Sequence, residues 1–258
     1  MSISYEERVK EAAILIANSN YLVGFTGAGI STESGIPDFR GPDGVWTRRD
    51  KGLPPPKTKK PWNEVEPNIG HKFFVELQDM DIMKFLISQN IDGLHLKSGI
   101  KEELIAEFHG NMTLMRCLQC NKKYNKKGLW DSKIWGSGMR KEPVREGQPV
   151  CPSCSGRIIN DVVDFGDPIP RDAISNSIEH SQRSDVVLVV GSTLTVSPAA
   201  DMPLYAIDSG AKLIIINNQS TSFDGKTHRG KPLCTVRFNE DAGETLTNII
   251  EEVKKLRK

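Results

Sequence analysis

The sequence predicts an α/β open sheet interrupted by an inserted, cysteine-bearing module. Three observations carry this expectation. Val186–Val190 and residues 213–216 are nearly uninterrupted β-branched runs, the composition of parallel strands covered on both faces. Residues 21–25 (Tyr-Leu-Val-Gly-Phe) form another short apolar run, and a glycine-rich turn follows at once. Residues 111–160 hold four of the five cysteines and little periodicity, which marks a segment foreign to the surrounding rhythm.

Taken in order, residues 4–18 place Val9, Ala12, Ala13 and Ile16 at the i, i+3, i+4, i+7 spacing of an amphipathic helix. The 21–25 strand comes next. Residues 41–69 contain six of the 15 prolines, Pro54-Pro55-Pro56 among them, and read as a loop-rich excursion. Residues 84–88 supply another strand. Beyond the cysteine segment, Val186–Val190 is closed by Gly191-Ser192-Thr193, a helical stretch spans roughly 199–208, and the 213–216 strand is closed by Asn217-Asn218. That is a βαβ unit, whose crossover is expected to be right-handed. Leu246, Ile249, Ile250, Val253 and Leu256 give a closing helix. Strands alternating with helices indicate an α/β sheet, and no internal repeat is visible.

The 258 residues carry 34 Lys+Arg against 33 Asp+Glu, a net charge of +1. Near-neutrality argues against a dedicated nucleic-acid binder, which shows a basic excess. No apolar run approaches the ~18–20 residues that span a bilayer, so no membrane partner is expected. The first residues, MSISYEERVKEAA, have acids and no apolar core, unlike a signal peptide. Two close cysteine pairs and one single suit a metal site in a reducing compartment better than a disulfide framework. The expectation is a soluble cytoplasmic protein.

Four groups of residues carry chemistry. Gly24-Phe25-Thr26-Gly27-Ala28-Gly29-Ile30-Ser31 follows a strand; glycines there let backbone amides approach a pyrophosphate. The spacing departs from the dinucleotide fingerprint, with Thr32 where the third glycine belongs, and a bare tight turn is the competing reading. Cys117-x2-Cys120 and Cys151-x2-Cys154, separated by 30 residues, supply four thiolates for a closed, structural zinc. A redox CxxC is the weaker alternative, and Cys234 reads as a small buried apolar residue. Gln89-Asn90-Ile91-Asp92-Gly93 ends a strand and faces the crevice of the glycine turn, although a simple turn accounts for it equally well. His109-Gly110 lies at the lip of the cysteine segment, and an imidazole with an ordinary pKa near ~6.5 suits a general base there. The basic runs Arg48, Arg49, Lys51, Lys57, Lys59, Lys60 and Arg116, Lys122, Lys123, Lys126, Lys127 read as solvated faces, with an anionic partner such as nucleic acid as the alternative.

In combination these motifs resemble a known family. Gly27-Ala28-Gly29-Ile30-Ser31, Ser34-Gly35-Ile36-Pro37-Asp38-Phe39-Arg40-Gly41, Gln89-Asn90-Ile91-Asp92, His109-Gly110, both CxxC pairs and Val162-Val163-Asp164-Phe165-Gly166-Asp167 occur in the order seen in sirtuins. The resemblance runs from about residue 5 to 253. Gly41-Pro42-Asp43-Gly44-Val45-Trp46-Thr47, Asp92-Gly93-Leu94-His95 and Asp164-x-x-Asp167 look most like the class IV branch, as a bare, prokaryotic-type catalytic core.

The resemblance implies a Rossmann-like parallel-sheet domain binding NAD (residues 1–40, 70–110 and 160–258), a cofactor-loop segment (41–69) and a zinc-ribbon module (111–159). It implies NAD-dependent lysine deacylation, with NAD consumed as co-substrate and one structural Zn2+. As carried over, Gly27, Ala28, Gly29 and Ser31 line the pyrophosphate loop. Thr32, Asp38, Phe39, Arg40 and Trp46 belong to the loop that shields the reactive ribose. Gln89, Asn90 and Asp92 hold the nicotinamide ribose and carboxamide, and Gly191, Ser192, Thr193, Asn217, Asn218 and Ala242 surround the adenosine half. His109 is the general base, worth roughly 10²–10⁴ in rate. It removes a ribose hydroxyl proton after the acyl oxygen has attacked C1′, and the products are nicotinamide, free lysine and O-acyl-ADP-ribose. The 162–166 run has strand character and is expected to pair with an acyl-lysine peptide by β-augmentation, with Val163, Phe165 and Gly166 at the substrate. Gly191-Ser192-Thr193 reverses the family's usual order of its last two residues. The preferred acyl group stays open, and mono-ADP-ribosyl transfer from NAD is the alternative activity.

Overall fold

A computed structural model describes residues 3–258. The chain runs through helix α1 (Tyr5–Ala17), strand β1 (Leu22–Thr26), helices α2 (Val45–Asp50) and α3 (Ile69–Asp79), β2 (Met83–Ser88), α4 (Leu94–Ser98) and β3 (Ile105–Glu107). Strands β4 (Leu114–Cys117) and β5 (Lys123–Asn125), helix α5 (Ser132–Trp135) and strand β6 (Ile158–Asn160) follow. Then come α6 (Arg171–Arg183), β7 (Val186–Val190), α7 (Met202–Asp208), β8 (Lys212–Ile216), the short β9 (Thr227–His228) and β10 (Lys231–Pro232), β11 (Val236–Phe238) and α8 (Ala242–Leu256).

Among the described residues, six strands form a parallel sheet in the order β11-β8-β7-β1-β2-β3. This is the doubly wound arrangement, and its direction of winding reverses between β1 and β7, the point where such sheets bind ligands beyond the strand ends. Every residue of β1 and β7 is buried. Alternate side chains feed opposite layers: Leu22, Leu188 and Val190 pack with α1, α3 and α8, whereas Val23, Phe25, Val187 and Val189 pack with residues of α6 and α7. Each fully buried apolar side chain contributes about 1.5–3 kcal/mol. A one-residue slip would exchange the two sets, so burial on both faces fixes the register.

Local chemistry sets the helix starts. Ser4 accepts from the Glu7 amide while Glu7 answers the Ser4 amide, a reciprocal cap. Asn68 and His71 cap α3 in the same sense, and Asp241 caps α8 singly by accepting the Glu244 amide. The second sheet, order β5-β4-β6, is antiparallel and closes over Met115, Cys117, Trp130, Cys151 and Ile158.

The structure corrects one expectation. Residues 162–166 are not a strand. The Phe165 amide is taken by the Asp164 carboxylate at 2.8 Å, the Asp167 amide turns back to the Asp164 carbonyl at 2.9 Å, and Gly166 sits at φ +82°. An aspartate side chain that captures a nearby amide competes directly with strand pairing. The proline-rich 41–69 stretch also contains α2, and β3, α3, α6 and β11 appear where no element was expected. No helix among the described residues is long and apolar enough to cross a membrane.

Candidate active site

The site assembles where the sheet's winding reverses. After β1 the chain turns at Gly27 and forms a 3-10 turn over Ala28–Ser31. The Gly27 amide donates to the Val190 carbonyl at 3.1 Å and the Gly29 amide to the Gly191 carbonyl at 2.9 Å. The two turns touch so closely that a Cβ on Gly29 would stand 2.7 Å from Gly191 Cα. Gly191 itself is at φ +67°. Glycine is required here by neighbouring backbone, and the same bareness suits a pyrophosphate approaching the strand ends.

The 89–92 run folds onto this turn. Gln89 Nε2 donates to Ser192 Oγ at 2.8 Å. Asn90 Nδ2 donates to the Gly27 carbonyl and to Ser31 Oγ, both at 3.2 Å. Ser31 Oγ in turn donates to Asp92 Oδ2 at 2.7 Å, and Asp92 Oδ1 accepts the Leu94 amide at 2.9 Å. Burial raises the Asp92 carboxyl pKa, and those two donors oppose it. A polar floor results, in which the Ser31 hydroxyl is already committed to the carboxylate.

His109 lies beyond the end of β3. Its Nδ1 is 2.9 Å from the Gln89 carbonyl. A carbonyl only accepts, so that bond assigns the proton to Nδ1 and leaves the Nε2 lone pair free to act as a base. Burial lowers the imidazole pKa, against the opposing effect of the Gln89 bond. A lowered pKa keeps the ring neutral at neutral pH, the form a base needs.

Around this floor lies the 38–46 loop. Asp38 Oδ1 accepts the Gly41 amide at 2.9 Å. The Arg40 guanidinium sits 4.3 Å from the centre of the Trp46 ring, a cation–π contact. Trp46 also meets Phe39 at 5.3 Å and Phe165 at 5.8 Å between ring centres. Phe165 is 71% exposed, so this aromatic group presents a large apolar surface. Val163 is tied to the site through its amide, which donates to the His109 carbonyl at 2.9 Å.

The remaining residues are more dispersed. Thr32 Oγ1 bonds back to the Gly29 carbonyl at 2.8 Å, and Thr193 pairs with Thr195 at 3.1 Å. Asn217 extends β8 by donating its amide to the Phe238 carbonyl, and Asn218 is exposed beside it. Ala242 opens α8, where the next amide, that of Gly243, donates to Glu33 at 3.1 Å. The structure therefore joins 27–31, 89–92, 109 and 191–192 directly, with Thr193 beyond the end of β7, Asn217 and Asn218 beyond the end of β8, and Ala242 at the start of α8.

Sequence reasoning missed a layer behind the floor. His71 Nε2 lies 3.5 Å from Ser31 Oγ, and His95 Nε2 lies 2.9 Å from Thr26 Oγ1. Their rings are 4.8 Å apart, and burial holds His71 down to about 4. The capping position of His71 three residues after Asn68 was the available signal.

The four module cysteines converge. Their Sγ atoms all lie within 4.8 Å of one another, with Cys117–Cys154 and Cys120–Cys151 each at 3.5 Å. A tetrahedron with metal–sulfur bonds of about 2.3 Å has edges of roughly 3.8 Å, so the set fits zinc. Tyr124 Oη lies 3.1 Å from Cys151 Sγ, an outer partner of the kind that orients ligands. Four protein donors leave no open position, which assigns the metal a structural role.

Comparison with known proteins identifies a family. The Sir2 family matches residues 27–60 and 56–198. A rice (Oryza sativa subsp. indica) protein named NAD-dependent protein deacetylase SRT1 is 40% identical over 85% of this chain, which spans 44% of that protein's length. NAD-dependent protein deacylase 2 of Archaeoglobus fulgidus is 38% identical, with 98% of each chain covered. A solved structure described as "Sir2-p53 peptide-NAD+" superposes with a TM-score of 0.72 at 32% identity, covering 96% of this chain and 99% of its own.

Proposed function

The chain belongs to the Sir2 family, and from that premise we propose that it is an NAD-dependent protein-lysine deacylase acting in the cytoplasm on acylated proteins or peptides. The domain division given above, the class IV affinity and the residue roles are part of the same proposal. The observation that carries it is that His109 Nδ1 is anchored on the Gln89 carbonyl while the next residues of the same run, Asn90 and Asp92, are hydrogen-bonded to the Gly27–Ser31 turn.

Bound NAD supplies an electron-poor ribose carbon carrying a leaving group that departs without acid assistance. The chain does the rest by holding and excluding. The glycine turn, bare of side chains at Gly27 and Gly29, lets the pyrophosphate approach the strand ends closely. Asn90 and Asp92, fixed through Ser31, orient the nicotinamide end, and orientation supplies much of the rate gain. Phe39, Arg40 and Trp46 cover the ribose and keep out water, which would hydrolyse a reactive species. His109 Nε2 takes the ribose hydroxyl proton, its Nδ1 proton being anchored on Gln89. The exposed Phe165 and the tied-back Val163 flank the acyl-lysine. In the resting chain the 162–166 amides are partly engaged within the segment, so peptide pairing opens that turn.

The test is incubation of the zinc-loaded protein with labelled NAD and acetyl-, succinyl- or myristoyl-lysine peptides, read by mass spectrometry. O-acyl-ADP-ribose and free lysine are expected, with His109→Ala losing at least about a hundredfold while still binding NAD. Label transferred to protein without deacylation would establish ADP-ribosyl transfer in its place.

A further inference from the structure

In the small sheet, Arg116 on β4 stands directly opposite Lys123 on β5. Like charges so paired repel, and solvent reaches them little or only in part: the Arg116 and Lys123 side chains are 6% and 27% exposed. Two buried acids from outside that strand pair hold them. Asp161, just past β6, contacts Arg116 Nε through Oδ1 and lies 3.2 Å from Lys123 Nζ through Oδ2. Glu107, the last residue of β3 in the large sheet, lies 4.0 Å from the same Nζ. Asp172 faces Arg116 at 3.8 Å from the partly exposed side, and Asp92 is a further acid acting on Glu107.

What Glu107 and Asp161 touch next gives the cluster its significance. Glu107 precedes His109 by two residues, its carbonyl accepts the Gly110 amide at 2.9 Å, and its carboxylate accepts from Asn111 Nδ2 at 2.6 Å. The His109 turn is thus stapled across by Glu107. From the other side the Asp161 carbonyl presses on Gly110, standing 1.6 Å from where a Cβ would be, and the Val163 amide donates to the His109 carbonyl. Both supports of the turn meet at one ammonium.

We propose that Lys123 is a positioning residue for His109: it ties the small sheet to Glu107 and Asp161, and that tie holds the turn presenting the imidazole. The inference rests on His109 as the base, but the tie itself is a physical connection measurable without turnover.

The experiment compares Lys123→Met, which keeps the apolar stem, with Lys123→Arg, Glu107→Gln and the Lys123→Met/Glu107→Gln pair, all zinc-loaded. Lys123→Met and Glu107→Gln are each expected to lower kcat about tenfold with KM for NAD within about twofold, and the pair to be no worse than the worse single, since coupled residues do not add. Lys123→Arg recovers kcat to within about threefold. Hydrogen exchange by mass spectrometry across 108–113 is expected to quicken about tenfold in Lys123→Met, with bound zinc unchanged. Wild-type kcat and exchange in Lys123→Met, losses that multiply in the pair, or loss of zinc from Lys123→Met would each overturn the proposal. A wild-type chain inactive on every acyl-lysine peptide would sink the deacylase reading alone, and the exchange rates would still decide the tie.

Discussion

Replacing Gly29 by alanine probes the contact on which the site is built. The new methyl carbon would stand 2.7 Å from Gly191 Cα and 2.9 Å from its carbonyl oxygen, whereas carbon atoms pack comfortably at about 3.5–4.0 Å. The two turns must part by most of an ångström. Because the obstacle is backbone on both sides, no side-chain rotation relieves it. Overpacking of this kind costs about 1–3 kcal/mol, and stretching the 2.9 Å bond from the Gly29 amide to Gly191 forfeits about 1 kcal/mol more. Against this, alanine restricts the unfolded chain, returning about 0.4–1 kcal/mol. The net loss is about 2–3 kcal/mol. For a chain of 258 residues the unfolding entropy is about 0.5 kcal/mol per degree, so Tm should fall by about 4–6 °C. NAD affinity, titrated calorimetrically, should weaken by about 10–100-fold as the turn that receives the pyrophosphate is displaced and its bare surface is filled. A variant that melts within a degree of wild type and binds NAD equally well would refute the argument that this close approach matters.

Two further outcomes follow from the same geometry. Cys151→Ser should lose bound zinc, measured by mass spectrometry, and lower the thermal midpoint, because metal binding at such a site is part of the folding free energy; full zinc occupancy would contradict the four-thiolate set. The unfolded chain protonates His71 below its ordinary 6.5, while the folded chain resists protonation down to about 4 because of burial. Stability present above pH 6.5 is therefore lost as pH falls through that window, about 3 kcal/mol in all. Urea denaturation from pH 7 to 4 should show His71→Gln losing less over the window than wild type; identical slopes would remove His71 from the acid response.

Much of this protein is legible locally. The apolar, largely β-branched runs at 186–190 and 213–216 can bury both faces only inside a parallel sheet, and the paired CxxC spacing specifies a tetrahedral thiolate set before any fold is known. Helix α6 is weakly legible, because its most buried positions are the small residues Ala173, Ser177 and Ser181, which dilute the apolar signal of the half-buried Ile174 and Ile178 packed beside them. The 162–166 run has the strand character of its valines and phenylalanine, but that composition says nothing of the Asp164 carboxylate capturing the amide beside it.

The sequence by itself determined which groups are available: a glycine turn after a buried strand, the Gln89–Asp92 run, one histidine beside the inserted segment, and four thiols. Tertiary structure alone decided what each group faces. Asn90 meets Ser31 across 59 positions of chain, and Arg116 meets Asp161 across 45. The His109 proton is assigned by a carbonyl 20 residues away. Composition and spacing record side chains along one dimension, whereas burial, charge pairing and tautomer depend on neighbours that only the closed sheet supplies.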